Sequence, residues 1–417
     1  MKNKEQHIFP FLERLLDGAE VEWTTLGDTR LIEIANNNRK PVKSSNRKVG
    51  NIPYYGANNI QDYVNGYTHN GTYILVAEDG TASIDNYSIQ WAVGKFWANN
   101  HVHVLRGIGL MESRFIFHYL RTVNFVPFLT GGGRAKLTKR KLQEIPIPIL
   151  CPSKPEKSLE IQRKIVDILD KFTTLEAELE AELEAELDCR KRQYEYYRNQ
   201  LLSFDMLNRG GQRLNNVSVM ALGELGTFTR GSGLQKKDFT SSGIGCIHYG
   251  QIYTYYGTYA KKTKSFVSQE FAQKARKAKY GDLIIATTSE NDEDVCKAVA
   301  WMGNDEIAIS SDACFFTHVM NPKYVAYYFQ TEHFQKQKRS LITGTKVRRV
   351  NARDLAKVKI PIPPLSEQER IVSILDKFDT LTTSISEGLP KEIELRRKQY
   401  EYYRNQLLSF PEHKVSA

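Results

Sequence analysis

The chain has 417 residues, which is more than one compact core usually holds, so at least two domains are expected. Hydrophobic residues make up 41% and charged residues 25%, a globular composition, and no run reaches the roughly 18 apolar residues that a membrane span needs. The formal net charge of +10 favours a polyanionic partner such as nucleic acid.

Residues 19–150 have the pattern of a mixed α/β domain. Tyr73–Ala77 is a short apolar run typical of a buried strand, and Arg114–Leu120 has the spacing of an amphipathic helix. Two segments carry side chains that suit DNA. The first is polar and aromatic and contains Tyr54, Tyr55, Asn58 and Asn59; the second is a glycine-rich basic loop with Arg134, Lys136, Thr138, Lys139 and Arg140.

These residue types have a chemical reason to meet DNA. Asn and Gln amides pair with adenine in the major groove, and Arg or Lys pairs with guanine. Glycine lets the backbone approach phosphates closely while flanking cations neutralise their charge. The simpler alternative is that the tyrosines belong to the core and that the basic loop is only solvated.

A long helix is predicted next, because residues 156–203 contain no Pro or Gly and Ile161, Ile165 and Leu169 start an apolar stripe at helical spacing. Its length would be roughly 65–70 Å. Leu-Glu-Ala-Glu occurs three times between Leu175 and Glu186, and these glutamates are expected to form a solvated face. The leucine spacing makes the stripe wind around the helix, so the repeat number would set both length and rotation.

Residues 217–363 repeat the α/β pattern. Asp282–Ala286 is the matching buried strand and Lys323–Phe329 the matching helix. Glu290–Asp294, with Lys297, is interpreted as an acidic loop rather than a nuclease cluster. The side chains predicted to contact DNA in this domain are Lys236, Tyr249, Gln251 and Tyr253, together with Lys346, Arg348 and Arg349 of a second basic loop that starts at Thr343.

The helical segment then recurs over residues 366–410 as the expected antiparallel or crossing partner of the first. Gly388 and Pro390 should break or kink this copy. The sequences of Arg192–Phe204 and Lys398–Phe410 are nearly identical, with an offset of 206 residues. Thr130–Gly131 corresponds to Thr343–Gly344, and Ile147–Ile149 to Ile360–Ile362, at an offset of 213. The chain is therefore an internal duplication.

The tyrosine-rich helix ends allow two interpretations. One is packing between the two helices; the other is a pair of equivalent docking patches for a partner present in two copies. The residues concerned are Tyr194, Tyr197 and Leu201, with Tyr400, Tyr403 and Leu407 in the second copy.

Several catalytic signatures are missing from the sequence. There is no G-x-x-x-x-G-K-[ST] motif, so ATP hydrolysis is not expected. Asn51–Tyr54 is similar to the Asn-Pro-Pro-Tyr motif of adenine methyltransferases but lacks its second proline and a Gly-rich cofactor loop, so we interpret it as a turn. The five cysteines are scattered and no secretory signal follows the polar start at Met1–Gln6, which favours reduced thiols in the cytoplasm.

The chain resembles type I restriction–modification specificity subunits. The resemblance rests on two variable domains that each end in a Pro-Ile-Pro strand, on the Ile-Val-x-Ile-Leu-Asp-Lys-Phe helices, and on the Tyr-Glu-Tyr-Tyr-Arg-Asn-Gln-Leu-Leu-Ser-Phe ends. It covers essentially the whole chain and is strongest in the helices. The Leu-Glu-Ala-Glu repeats resemble the type IC branch, which has tetrapeptide repeats in its central conserved region.

The resemblance implies an α/β fold with two target-recognition domains in pseudo-twofold arrangement, separated by two long antiparallel helices that form a coiled-coil-like spacer. The expected divisions are a first recognition domain at 1–152, a central conserved helix at 153–204, a second recognition domain at 205–363, a C-terminal conserved helix at 364–410 and a tail at 411–417.

It also implies a non-catalytic, DNA-binding role. Each recognition domain would read one half of a bipartite site in double-stranded DNA. The helices would bind two methyltransferase subunits, through which restriction subunits join, and adenine methylation would follow. The chain itself would bind no cofactor or metal; S-adenosylmethionine, ATP and magnesium would belong to the partners. The alternatives are a stand-alone DNA-modifying enzyme and a helical scaffold without DNA binding.

Overall fold

The computed structural model describes residues 9–84, 86–131, 135–209, 217–384 and 387–411. They form two compact units. Unit 1 combines the chain up to Ala181 with the segment from Glu394 onward, and unit 2 comprises Glu182–Ile393. Each unit therefore contains one α/β domain together with helical segments that are distant from each other in sequence.

Unit 1 is built around a six-stranded sheet with the order β2-β7-β5-β6-β3-β4, in which only β3 and β6 pair in parallel. The strands β1 and β8 form a separate antiparallel pair. The elements of this domain are α1 (Pro10–Leu16), β1 (Val21–Thr25), β2 (Ile32–Ile34), β3 (Val49–Tyr55), β4 (Ile60–Val64), β5 (His69–Ala77), β6 (Ile89–Ala98), β7 (Val102–Gly107), α2 (Ser113–Leu120), α3 (Lys139–Gln143) and β8 (Pro146–Leu150).

Two sequence predictions for this domain are confirmed and one is wrong. The buried strand is β5, whose last four residues are fully buried, and the amphipathic helix is α2. The segment Asn51–Tyr54 is not a turn, because it lies in β3 and pairs with β4 on one side and β6 on the other. Pairing with distant strands overrides the local signal of Pro53.

The central helix is continuous, as predicted. It is α4 (Pro155–Leu201), and its 47 residues correspond to about 70 Å. A short helix, α5 (Phe204–Arg209), follows. Ile161, Ile165 and Leu169 belong to the core of unit 1, and Tyr194 and Leu202 belong to the core of unit 2.

Unit 2 contains two five-stranded sheets, with the orders β10-β20-β16-β18-β13 and β11-β14-β12-β19-β15, and two small pairs, β17-β21 and β9-β22. Its elements are β9 (Ser218–Ala221), α6 (Leu222–Leu225), β10 (Gly226–Arg230), β11 (Phe239–Thr240), β12 (Ile244–Ile247), α7 (Tyr249–Thr254), β13 (Tyr259–Ala260), β14 (Ser265–Val267), α8 (Gln269–Lys274), β15 (Lys277–Ala278), β16 (Leu283–Ala286), β17 (Thr288–Ser289), β18 (Ala298–Trp301), β19 (Ile307–Ile309), β20 (Ala313–His318), α9 (Pro322–Tyr328), α10 (Glu332–Arg339), β21 (Arg348–Arg349), α11 (Ala352–Leu355) and β22 (Lys359–Ile362).

The predicted matches between the two domains are present in this unit. The strand β16 is fully buried like the end of β5, and α9 occupies the sequence position of α2. The segment Glu290–Asp294 is an exposed loop between β17 and β18, as interpreted.

The second conserved region is two helices and not one long helix. α12 (Leu365–Thr383) ends before Gly388, and α13 (Leu389–Leu407) starts beside Pro390. The break is the one that Gly388 and Pro390 predict, since proline lacks the amide hydrogen that a continuous helix needs. Within unit 1, Tyr403 and Tyr400 of α13 contact Phe172 and Thr173 of α4, and Arg397 pairs with Glu180, so these two segments run antiparallel.

A duplicated polar anchor fixes each α/β domain to its own helix. In unit 1, Asp170 of α4 accepts hydrogen bonds from Arg114 and His118 of α2, at 2.9 and 2.7 Å. In unit 2 the equivalent Asp376 of α12 accepts from the Lys323 ammonium and the Tyr327 hydroxyl of α9, both at 2.6 Å.

A second anchor lies two helical turns earlier in each copy. The Gln162 side chain accepts from the Glu112 amide and donates to the Leu110 carbonyl, both at 2.8 Å. The equivalent Gln368 accepts from Asn321 and donates to Pro363, both at 2.9 Å. Each domain is therefore held to the helix within its unit at two points, which fixes the orientation of that domain on the helix.

Candidate nucleic-acid interface

The basic loop of unit 1 is closed by a two-residue backbone bridge. Thr130 donates to the Lys136 carbonyl at 2.8 Å, and Lys136 donates back to the Thr130 carbonyl at 2.9 Å. The Thr130 hydroxyl adds a third bond to the same Lys136 carbonyl at 3.0 Å. Arg134, predicted to contact DNA, lies outside the described residues.

The basic loop of unit 2 is closed in the same way. Thr343 and Arg349 exchange backbone hydrogen bonds of 2.8 Å each, and the Thr343 hydroxyl donates to the Arg349 carbonyl at 3.1 Å. Gly131 and Gly344 occupy the same position in the two loops, with φ of +94° and +87°, where a side chain would be strained. Two domains of divergent sequence therefore close this loop with the same hydrogen bonds.

Each basic loop is attached to the segment that leaves the central buried strand. In unit 1 the amide of Leu137 donates to Glu78, just after β5, at 2.7 Å. In unit 2 the amide of Val350 donates to Thr287, just after β16, at 3.1 Å, and β21 pairs with β17. The central strand thus places its loop at one defined edge of each domain. We call these two edges the reading edges.

Cations and carboxylates are interleaved at the reading edge of unit 1. The Lys136 ammonium lies 3.1 Å from the Glu78 carboxylate, which also accepts from Arg39 at 2.7 Å. Burial alone would raise the pKa of Glu78, but its bonds from Arg39 and Lys136 and the nearby His103 outweigh burial and lower it. Lys139 and Arg140 are exposed in α3, the Arg140 side chain by 92%, while the Thr138 hydroxyl caps this helix.

The polar-aromatic cluster of unit 1 is only partly available to DNA. Tyr54 is 1% exposed, because its ring lies beside Trp97 and under the Arg47 guanidinium and its hydroxyl accepts from the Val42 amide at 3.1 Å. Its prediction as a DNA contact is wrong, since these groups cover the side chain. Tyr55 is half-buried and packs edge-to-face on Phe96, and burial raises its pKa.

The two asparagines of that cluster are exposed. The Asn58 amide donates to the Gly80 carbonyl at 2.8 Å and accepts from the Ala82 amide at 2.7 Å, so it braces the loop after β5. The Asn59 side chain is exposed and accepts from the amide of Ile60 at 2.8 Å.

In unit 2 a cleft of about 440 Å³ opens at the reading edge. Four segments line it: α7, β17, the acidic loop and the basic loop. Among the lining residues are Tyr249, Tyr253, Ser289, Glu290, Asn291 and Val347. The sequence analysis did not predict Ser289 and Asn291. Their position shortly after a buried strand, at an acidic run, could have indicated that they lie at the reading edge.

Two of the three predicted α7 side chains have structural roles. The Gln251 amide accepts from His248 at 3.0 Å and donates to Ser265 at 2.7 Å, so both of its ends are engaged. The Tyr253 hydroxyl donates to the Thr288 carbonyl at 2.6 Å, and burial raises the pKa of Tyr253. Tyr249 is half-buried and lines the cleft.

The remaining predicted cations of unit 2 are on its surface. Lys346 and Arg349 are exposed, whereas Arg348 pairs with Asp292 at 2.8 Å. Lys236 is exposed and lies close enough to His248 to lower the pKa of that imidazole, although burial is the larger cause.

The tyrosine-rich helix ends divide into a buried and an exposed set. Tyr400 and Tyr194 are buried at equivalent positions: the first bonds Thr173 at 2.7 Å in unit 1, and the second bonds Asp379 at 3.3 Å in unit 2. Leu407 is buried and Leu201 is partly buried. These side chains therefore pack within their own units.

The exposed set forms two matching aromatic clusters. In unit 2, Tyr196 and Tyr197 meet edge-to-face at 5.5 Å, and Tyr197 lies against Phe378. In unit 1, Tyr402 and Tyr403 meet edge-to-face at 5.5 Å, and Tyr403 lies against Phe172. Tyr196 is 60% exposed and Tyr402 57%. We call these the aromatic patches.

The described part of the chain contains no group of three or more His, Cys, Asp or Glu side chains placed to hold a metal ion. All five cysteines are free thiols. In the same residues, no helix is long and apolar enough to cross a membrane.

Comparison with known proteins agrees with this arrangement. The model of the type I restriction modification DNA specificity domain matches residues 20–188 and 215–395, once in each half. A Haemophilus influenzae protein, provisionally named a type I restriction enzyme specificity subunit, is 48% identical over 96% of this chain and 98% of its own length. The Escherichia coli EcoR124I/EcoR124II specificity subunit is 32% identical over 96% of this chain and 97% of its own.

Two solved structures share the fold. One comes from a study of complex assembly in a type I restriction–modification system, with a TM-score of 0.63, 15% identity and coverage of 93% of this chain and 97% of its own. The HsdS subunit of Thermoanaerobacter tengcongensis has a TM-score of 0.53, 16% identity and the same coverage. The duplicated domains, the long helix and the full-length relatives lead to one conclusion: the chain belongs to the family of type I restriction enzyme specificity subunits.

Proposed function

We propose that each unit reads one half of a bipartite site in double-stranded DNA through its reading edge. The observation that carries this proposal is the basic loop, closed by the same threonine bridge in both domains. Its glycine permits close approach to a phosphate, and its lysines and arginines supply the neutralising charge. Two equivalent edges in one chain suit a target with two separate halves.

The cleft of unit 2 supplies groups for base recognition. The Asn291 amide is bonded to Asp294 at both ends, but it is exposed and keeps one N–H and one oxygen lone pair for a base edge. The Ser289 hydroxyl can also donate and accept hydrogen bonds, as base edges in the major groove require, and Tyr249 offers a half-buried ring. Gln251, which is not among the residues that line the cleft, and the buried ring of Tyr54 are not part of this proposal. Phosphate contacts from Lys346 and Arg349 would position the domain, and the cleft would read the sequence.

The aromatic patches are proposed as the docking sites for two methyltransferase subunits. They occur once per unit, are nearly identical in sequence and geometry, and expose large tyrosine surface, which is typical of interface centres. A partner that binds one patch can bind the other in the same way. The buried tyrosines next to each patch hold its helix in place.

Catalysis and cofactors are assigned to those partners. This chain would direct adenine methylation and restriction by placing the partners on DNA, without binding S-adenosylmethionine, ATP or magnesium itself. The missing ATP-binding and methyltransferase motifs support this division of labour.

DNA binding by the full chain with and without its methyltransferase subunit tests this proposal. The chain alone should bind duplexes weakly, and the methyltransferase should add sequence-specific affinity. Tyr196→Ala with Tyr402→Ala should remove that gain while leaving the weak binding unchanged, and Tyr63→Ala with Tyr67→Ala, two exposed tyrosines of unit 1 outside the patches, is the matched control. Equal specific affinity with and without the methyltransferase would contradict the proposal.

A further inference from the structure

An acidic loop beside a surface that binds DNA needs an explanation, because its carboxylates repel phosphates. Glu290, Asp292, Glu293 and Asp294 are all exposed at the reading edge of unit 2. One of them has a specific partner: the Asp292 carboxylate lies 2.8 Å from the Nε of Arg348 in the basic loop. The Arg348 guanidinium also donates to the Gly344 carbonyl at 2.7 Å, so it is held at both ends.

The acidic loop is held rigidly in its position. Lys338 of α10 is fully buried, and its ammonium donates to the carbonyls of Glu293 and Val295 at 2.9 and 3.0 Å. Burial lowers the pKa of Lys338. Asn291 and Asp294 add two mutual bonds of 2.8 and 2.7 Å. Asp292 therefore projects from a fixed turn.

Unit 1 reaches the same arrangement with different residues. Lys136 occupies the loop position of Arg349, and it pairs with Glu78, directly after the central strand. Asp292 and Glu78 are not at equivalent positions in their domains. A carboxylate beside a basic-loop cation is thus a feature of both reading edges that two different residue sets produce.

We propose that Asp292 is a specificity-determining residue that withholds Arg348 from non-target DNA. On random DNA, Arg348 would gain one phosphate contact but lose its bonds to Asp292, and the freed carboxylate would face the DNA backbone. On target DNA, a guanine edge can give the guanidinium bidentate hydrogen bonds in addition to the phosphate attraction. The binding free energy gained there is larger than on random DNA and offsets the lost bonds to Asp292. This inference rests on the proposed function of the reading edge.

The test is binding of the full chain to a random-sequence duplex over a range of salt concentrations. Asp292→Asn keeps the size of the side chain and releases Arg348. We expect binding to tighten roughly threefold to tenfold and the salt slope to steepen by about one, as one more cation contacts phosphate. Asp292→Asn with Arg348→Ala should lose this gain and bind no more tightly than the original chain, because the released cation is then absent.

Glu293→Gln is the matched control, because it removes the same charge from the same exposed loop. An equal gain from Glu293→Gln, or no gain from Asp292→Asn, would overturn the inference. Arg348→Ala with Arg349→Ala separates this result from failure of the proposed interface. If that variant binds random DNA as the original chain does, the reading edge itself is misplaced.

Discussion

Tyr54 and Lys136 carry the same sequence-based prediction, contact with DNA, but the structure places them in opposite environments. Tyr54 of β3 is buried under Arg47, whereas Lys136 is exposed at the reading edge. A tyrosine in a strand is amphipathic, so its type alone does not tell which face it occupies. A lysine in a glycine-rich loop is expected to be exposed, because burial of its charge costs free energy.

The structure predicts a measurable role for the two arginines of the second basic loop. Arg348→Ala with Arg349→Ala should weaken binding of the full chain to random DNA several-fold and reduce the salt slope by about one, since Arg349 neutralises about one phosphate whereas Arg348 is held by Asp292. Arg134→Ala with Lys136→Ala should do the same in the first domain. The measurement is fluorescence anisotropy at several salt concentrations.

The control for these variants is Lys274→Ala with Lys277→Ala. It removes the same charge from α8 and β15, whose residues do not line the cleft among the described residues. If both loop variants bind like the original chain, the DNA-binding face lies elsewhere.

At the scale of elements, hydrophobic periodicity predicted the helices and strands whose formation depends on local sequence. The long helix, its broken copy, the buried strands and the α2 and α9 helices all followed from spacing and from Gly388 and Pro390. The residues that anchor each α/β domain to its helix could not be predicted in this way. Asp170 and Asp376 stand in identical Ile-Leu-Asp-Lys-Phe motifs, but their partners, His118 and Tyr327 among them, come from distant and divergent sequence.

The same limit applies to the cleft at the reading edge. Asn291 is in a loop that composition described only as acidic. Its place in the cleft depends on the buried Lys338, which lies 47 residues further along the chain. A lysine in a helix is usually exposed, so its sequence gives no sign that it holds a loop.

The Leu-Glu-Ala-Glu repeats allow a prediction about α4. Deleting one unit removes about 6 Å of helix, and one base-pair step is about 3.4 Å, so the spacer between the two half-sites should shorten by one or two base pairs. Both half-sites should keep their sequences, because the Asp170 and Asp376 anchors and both reading edges lie outside the deleted segment. The readout is methylation mapping of hosts carrying either protein.

Deleting one repeat also removes two glutamates, so the control is a variant that loses two glutamates but keeps the full length of the helix. Glu182→Gln with Glu184→Gln keeps the helix length and should keep the spacer. An active deletion protein with an unchanged spacer would show that the repeats are a passive solvated segment.

At the scale of the whole molecule, the duplication is the feature on which function rests. One chain carries two anchored domains, two basic loops that are closed by the same kind of hydrogen-bonded bridge, and two aromatic patches. Family membership gives the role of specificity subunit, and the structure adds where in each domain recognition is proposed. The sequence of the DNA target depends on side chains that differ between the two reading edges. It can be predicted neither from the spacing of residues in the chain nor from the fold.

Methylation mapping of a host that carries this system tests the central claim most directly. Single-molecule sequencing of methylated adenines with the original chain should give one bipartite motif with a fixed spacer. Asn291→Ala, which alters the cleft of unit 2 and removes the Asn291 bonds to Asp294 in the same loop, should relax one half of that motif and leave the other half and the spacer intact. A continuous motif, or relaxation of both halves by Asn291→Ala, would contradict the account.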